Sequence, residues 1–81
     1  MNNGVHIRYF AAARAAAGTD GATFDAATLR QILDQACSAN SALSHVISQC
    51  SFLVDSVVVH DENITIADGS VIDVLPRFAG G

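Results

Sequence analysis

The sequence predicts an α+β fold, a mixed β-sheet with helices packed on one face. Two observations carry that expectation. Strand-type runs open and close the chain: Val5-His6-Ile7-Arg8-Tyr9 alternates apolar and polar at period two, and Val71-Ile72-Asp73-Val74-Leu75 comes near the end. Between them the apolar spacing changes to that of helices. Length sets the scale: 81 residues make one domain, and a chain of this size buries only about 60% of the surface it exposes when unfolded.

Taken in order, the first strand is Val5 to Tyr9, with Phe10-Ala11 extending it. Ala12 to Ala17, holding Arg14, is a short helix-prone stretch closed by Gly18, and Gly18-Thr19-Asp20-Gly21 is a turn signal. Ala22-Thr23-Phe24-Asp25 is a short second strand. Thr28-Leu29-Arg30-Gln31 fits a capping box, Thr28 as N-cap and Gln31 reaching back from the third helical position. Leu29, Ile32, Leu33, Ala36 and Cys37 then form one apolar stripe, opposite Arg30, Gln31, Asp34 and Gln35. A break at Ser38-Ala39-Asn40-Ser41 precedes a second helical stripe of Leu43, Val46, Ile47 and Cys50. Phe52-Leu53-Val54 and Val57-Val58-Val59 are β-branched runs around Asp55-Ser56; His60 to Asn63 and Asp68-Gly69 are turns, and the last strand ends at Leu75.

Charge and composition exclude several classes. The net charge is −4 with no basic run, and a polyphosphate partner needs clustered cations to release counterions, so nucleic acid is not expected as a partner. All four cations are arginines (Arg8, Arg14, Arg30 and Arg77), so no lysine side chain is available for isopeptide bonding to the chain itself. Met1-Asn2-Asn3-Gly4 lacks a cationic leader, and no apolar stretch approaches the roughly 20 residues a spanning helix needs. A cytoplasmic protein with no membrane partner is expected, where two cysteines do not make a disulfide framework. Hydrophobic residues make up 51% of the chain and mean hydropathy is +0.36. Alanine enrichment and a partner-binding surface both account for that surplus.

No internal constellation resembles an active site. Cys37 and Cys50 each complete an apolar helix stripe, as small buried hydrophobes do, and neither has a basic neighbour in sequence to lower its pKa. His6, His45 and His60 lack the spacing of a zinc site, and no metal is expected. Asp61-Glu62 lies on a polar turn, where solvation explains an acidic pair. Asn63-Ile64-Thr65 matches a glycosylation sequon that matters only on export.

The closing Gly80-Gly81 pair is therefore where chemistry is sought. At average glycine usage such a pair arises by chance in roughly 0.5% of chains, so it invites a functional explanation beside that of a frayed end. Two residues without Cβ thread a narrow channel in conformations barred to others, and they leave the α-carboxylate unhindered.

These features together resemble a known family. They comprise Tyr9-Phe10-Ala11 with Arg14 and Gly18, the helix opening at Thr28-Leu29, Val57-Val58-Val59, and Asp68-Gly69 leading through Val71 to Leu75 into Pro76 and Gly80-Gly81. The chain resembles the small-subunit family of molybdopterin synthase, sulfur carriers of the ubiquitin-like β-grasp fold, and the likeness spans nearly its whole length. It departs from the family's usual pattern at Ala15, where an acidic residue is common, and at Pro76-Arg77, where two prolines are common.

The resemblance implies a β-grasp domain over residues 1–75 and an extended functional tail over 76–81. It implies that an adenylating enzyme of the ubiquitin-activating type uses ATP to activate the Gly81 carboxylate, which a sulfur donor protein converts to a thiocarboxylate. The tail (Pro76, Arg77, Phe78, Ala79, Gly80, Gly81) would then enter the large synthase subunit, which supplies the catalytic groups. This chain would be a non-catalytic sulfur donor binding no cofactor itself. A last strand lying centrally beside the first would anchor the tail, Pro76 would hold Leu75 extended, and Arg77 to Gly81 would reach roughly 17 Å. Phe78, the only bulky apolar group on that tether, is expected in a partner groove. Phe10 and Leu75 are candidates for the partner interface or for the core, and Arg14 for a structural pairing near the first strand. The alternatives are a carrier for thiamine thiazole or another pathway, a ubiquitin-like protein modifier, and an interaction domain with an inert tail.

Overall fold

The computed structural model describes residues 4–77. Eight elements follow in order: β1 (Val5–Tyr9), α1 (Ala11–Ala17), β2 (Gly21–Phe24), α2 (Leu29–Ala39), α3 (Ser41–Ile47), β3 (Cys50–Val54), β4 (Val57–Val59) and β5 (Val71–Pro76). The strands form one sheet in the order β2-β1-β5-β3-β4. β5 lies at its centre, parallel to β1 and antiparallel to β3, in the place the resemblance assigns to the last strand.

Period-two patterning does in β1 what it predicts, and β5, apolar at all but Asp73, alternates in burial as a central strand does. Val5, Ile7 and Tyr9 are buried while His6 and Arg8 are exposed, and Ile72, Val74 and Pro76 are buried between half-buried neighbours. The buried set joins Cys50 and Phe52 of β3, Leu29, Ile32, Leu33 and Ala36 of α2, Leu43 of α3 and Ile66 in a single core. Each fully buried Ile, Leu or Val in it contributes about 1.5–3 kcal/mol relative to exposure. Gly21 is required by close approach, since a Cβ there would collide with the Ile7 carbonyl oxygen across the β1–β2 pair.

The capping box is present in both halves: the Thr28 hydroxyl accepts from the Gln31 N–H at 3.2 Å, and the Gln31 side-chain oxygen accepts from the Thr28 N–H at 3.0 Å. Four of the five stripe residues of α2 are buried, with Cys37 half-buried.

Elsewhere the structure corrects the sequence. Phe10 donates a last ladder bond to Val74 O at 3.2 Å. It then serves as N-cap of α1 rather than extending the strand, and Ala11 turns the chain with φ of 50°. α2 continues through Ala39, so Asn40 alone divides the two helices; its side chain accepts from Ala42 N–H and donates to the carbonyls of Ala16 and Ala17. Cys50 is not on the α3 stripe. That helix ends at Ile47, and Cys50 enters β3 opposite Pro76, still buried. β2 starts one residue earlier than expected, at Gly21. β3 and β4 form a hairpin around Asp55 and Ser56, whose φ values of 49° and 72° are those of a two-residue turn matched to strand twist.

Candidate functional site

The root of the closing tail is built from β5 outward. Pro76 lacks an N–H, yet it sits opposite Cys50 in the central strand and is buried, so the strand extends one residue past Leu75. Arg77 continues the attachment. Its N–H donates to Gln49 O at 3.0 Å, and its guanidinium lies 3.4 Å from Ser48 O and 3.5 Å from Gln49 O. Those carbonyls follow the last turn of α3, where the helix dipole favours a cation. Backbone and side chain of Arg77 thus both hold the Ser48–Gln49 stretch and fix where the chain leaves the domain. Phe78, Ala79, Gly80 and Gly81 lie outside the described residues.

Beside this exit, the sheet face away from the helices carries an apolar patch. Cross-strand register puts Arg8, Asp73, Leu53 and Val58 in one row, with Ser51 and Leu75 as the next pair toward the exit. Leu75 and Leu53 are half-buried, Val58 is 53% exposed and Phe10, at the end of β1, is 38% exposed. Both Phe10 and Leu75 therefore belong to an outer surface rather than to the buried core.

Within this face, Arg8 makes a two-pronged pair with Asp73, Nε to Oδ1 at 2.6 Å and Nη2 to Oδ2 at 2.9 Å. The Asp73 hydrogen bond, then its charge, raises the Arg8 pKa further. The same guanidinium lies 5.8 Å from the Phe10 ring centre, within cation–π range, which orients the ring. Sequence inspection missed this group because the partners are 65 residues apart; the one available signal was a carboxylate on the outward side of β5. Arg14 reaches Asp20 at 3.6 Å, with both side chains largely exposed, a surface pair of small energetic weight.

Several other titratable groups are placed for structure. Burial pushes the Cys37 thiol up, assisted by Asp34, and pushes the Cys50 thiol up against the opposing effect of Arg77. Cys50 donates to Val46 O at 3.2 Å. Both thiols are held protonated, which disfavours nucleophilic chemistry. Asp61 accepts from Asn63 N–H, Glu62 pairs with Arg30 at 3.4 Å, and His6 faces the Thr23 hydroxyl. Among the described residues no three His, Cys, Asp or Glu side chains gather as a metal site, and no helix is long and apolar enough to cross a membrane.

Comparison with known proteins places this geometry. The model of the ThiS family matches residues 7–81. No curated protein matches by sequence. Among solved structures, the chain is similar to a putative molybdopterin converting factor, subunit 1, from Pyrococcus furiosus. The TM-score is 0.80 at 20% identity, covering 89% of this chain and 94% of that one. It is similar to SAMP1 from Haloferax volcanii with a TM-score of 0.81 at 23% identity, over 95% and 98% of the two chains. A complex of subunits 1 and 2 of molybdopterin-converting factor from Helicobacter pylori also matches, with a TM-score of 0.72 at 22% identity over 95% and 97%. At these identities the structural matches establish the ubiquitin-like β-grasp fold.

Proposed function

This chain belongs to the ThiS family of ubiquitin-like sulfur carriers, and from that premise we propose that its Gly81 carboxylate is the sulfur-carrying group for molybdopterin synthesis. An adenylating enzyme of the ubiquitin-activating type joins the carboxylate to AMP from ATP, releasing pyrophosphate. Sulfide sulfur from a donor protein displaces AMP and leaves a thiocarboxylate. The large synthase subunit accepts the tail and supplies the acid and base groups for transfer of that sulfur to a pterin precursor. On this proposal the chain is the non-catalytic donor subunit, and ATP is the activating enzyme's substrate.

The observation that carries the proposal is the fixed exit of β5. Pro76 is buried in the sheet and Arg77 is held to the end of α3, so the four residues that follow extend up to about 14 Å from a defined point. Pro76 and Arg77 then form the anchored root, and Phe78, Ala79, Gly80 and Gly81 are the part that enters a partner. Anchoring lowers the entropy lost when the tail is ordered in a channel, and two glycines keep that channel narrow. The patch of Phe10, Leu75 and Leu53 beside the exit is the surface on which these partners dock.

Reconstitution with the purified large subunit, adenylating enzyme, ATP and sulfur donor tests the proposal. Deleting Gly81, or adding one residue after it, should abolish sulfur transfer while the circular dichroism spectrum is unchanged. Transfer retained by either variant refutes it. The fold likeness to SAMP1 keeps a modifier reading in view; Gly81 found in amide linkage to other proteins would favour that reading.

A further inference from the structure

At the far edge of the sheet, β4 has no neighbour beyond β3 among the described residues. It consists of Val57, Val58 and Val59, with Val57 65% and Val58 53% exposed, and carries no charge, proline or bulge of the kind that protects an edge strand. Because Val54 and Val57 close a two-residue hairpin, they form the hydrogen-bonded pair, and the pair Leu53–Val58 is the non-bonded one. The Val58 N–H and C=O therefore point away from β3, toward the open side. Alongside runs a groove of about 450 Å³ between β4 and α2, with Leu33, Ile47, Phe52 and Val59 among its apolar walls. Side chains on the inner face of a strand added to β4 would fall into it.

We propose that the β4 edge and this groove take up an extended segment of a partner protein, with aliphatic or β-branched residues at alternate positions and Lys or Arg at its ends. Charge selects that occupant. Asp55 stands at one end of β4, Asp61 follows the other, and Asp34 lines the groove from α2. The nearby cations are already engaged, Arg30 with Glu62 and Arg77 with the carbonyls after α3. A second copy fits badly: antiparallel pairing centred on Val58 sets Asp55 of one chain against Asp61 of the other, and each chain carries −4 overall. Arg77, the root of the tail, lines the far end of this groove, and occupancy of the β4 edge does not depend on the chemistry of Gly81.

The test is an NMR titration of the isotope-labelled full chain with the blocked peptide Lys-Val-Thr-Val-Thr-Arg. The expected result is saturable binding with shifts centred on Val58 and His60, and slowed exchange of the Val58 amide. Binding should fall about tenfold when the alternate peptide amides are N-methylated, and about tenfold when the terminal cations are replaced by Glu. Val58→Pro, which removes the outward donor at an edge position that tolerates proline, should lose binding with its other amide resonances retained. If that variant unfolds, the N-methylated peptide carries the same test on the unaltered protein. Absence of saturable binding overturns the proposal, as do shifts confined to the Phe10 and Leu75 patch or equal affinity for the Glu-ended peptide. Shifts at Val58 that grow with protein concentration alone would assign the edge to a second copy instead.

Discussion

Asn40 offers the sharpest test of how the helical layer is held, because one side chain serves two helices. Its carbonyl oxygen accepts from Ala42 N–H at 3.1 Å, capping α3, and its amide donates to Ala16 O at 2.8 Å and Ala17 O at 3.0 Å, the end of α1. Asn40→Ala removes the cap, about 1 kcal/mol, and two hydrogen bonds worth about 0.5–1.5 kcal/mol each. The α1 carbonyls regain some water, so a total loss of about 2–3 kcal/mol is expected. For a domain of this size, 1 kcal/mol moves the melting midpoint by about 4–8 °C, which predicts a fall of roughly 10–20 °C. Asn40→Asp separates the two roles. A carboxylate still caps α3, and its charge suits a helix N-terminus, but it donates nothing to Ala16 and Ala17 and repels their oxygens. At pH 7 it should lose at least about 1 kcal/mol despite the better cap. Thermal and urea melts followed by circular dichroism measure both variants. An Asn40→Asp protein as stable as wild type would show that Asn40 is a cap alone and refute the bridge.

Other consequences follow from burial and charge. Ile72→Ala empties a fully buried position in the central strand and should cost about 2–5 kcal/mol in a urea melt, whereas Phe10→Ala, on the outer face, should leave stability within about 0.5 kcal/mol but weaken binding to the adenylating enzyme by calorimetry; unchanged binding removes Phe10 from the docking surface. Cys37 and Cys50 have raised folded-state pKa values. Their contribution is full below the unfolded thiol pKa of about 8.5 and declines as pH rises through the folded values, because the unfolded chain then binds fewer protons. Melts between pH 7 and pH 10 should show that decline, and Cys37→Ala with Cys50→Ala should reduce it (pH values chosen about the thiol pKa). Phe78→Ala should weaken affinity for the large subunit in competition with wild type; equal affinity sinks the role assigned to that ring.

What the sequence revealed was mostly local. The capping box was legible because Thr28 and Gln31 are three residues apart and exchange both hydrogen bonds within one turn. The burial of β1 was legible because a strand's two faces alternate in the sequence itself. The central place of β5 came from the family resemblance, since no periodicity encodes which strand pairs with which. Asn40 was hidden because the carbonyls it binds are 23 and 24 residues away. The Arg8–Asp73 pair beside Phe10 was hidden for the same reason. Cys50 misled because the spacing Leu43, Val46, Ile47, Cys50 continues a helical stripe past the point where α3 ends; burial was right and the element wrong. At the tail, the sequence ended the last strand at Leu75, whereas the buried Pro76 ring closes β5 as its last residue and Arg77 clasps the end of α3.

The central claim rests on one functional group, and the mass of the intact protein reads it directly. Incubated with its adenylating enzyme, ATP and a sulfur donor, the chain should gain about 16 Da as –COOH becomes –COSH, and tandem fragmentation should place the gain on Gly81. A product that remains the free acid, with the adenylating enzyme shown to be active, would contradict the account.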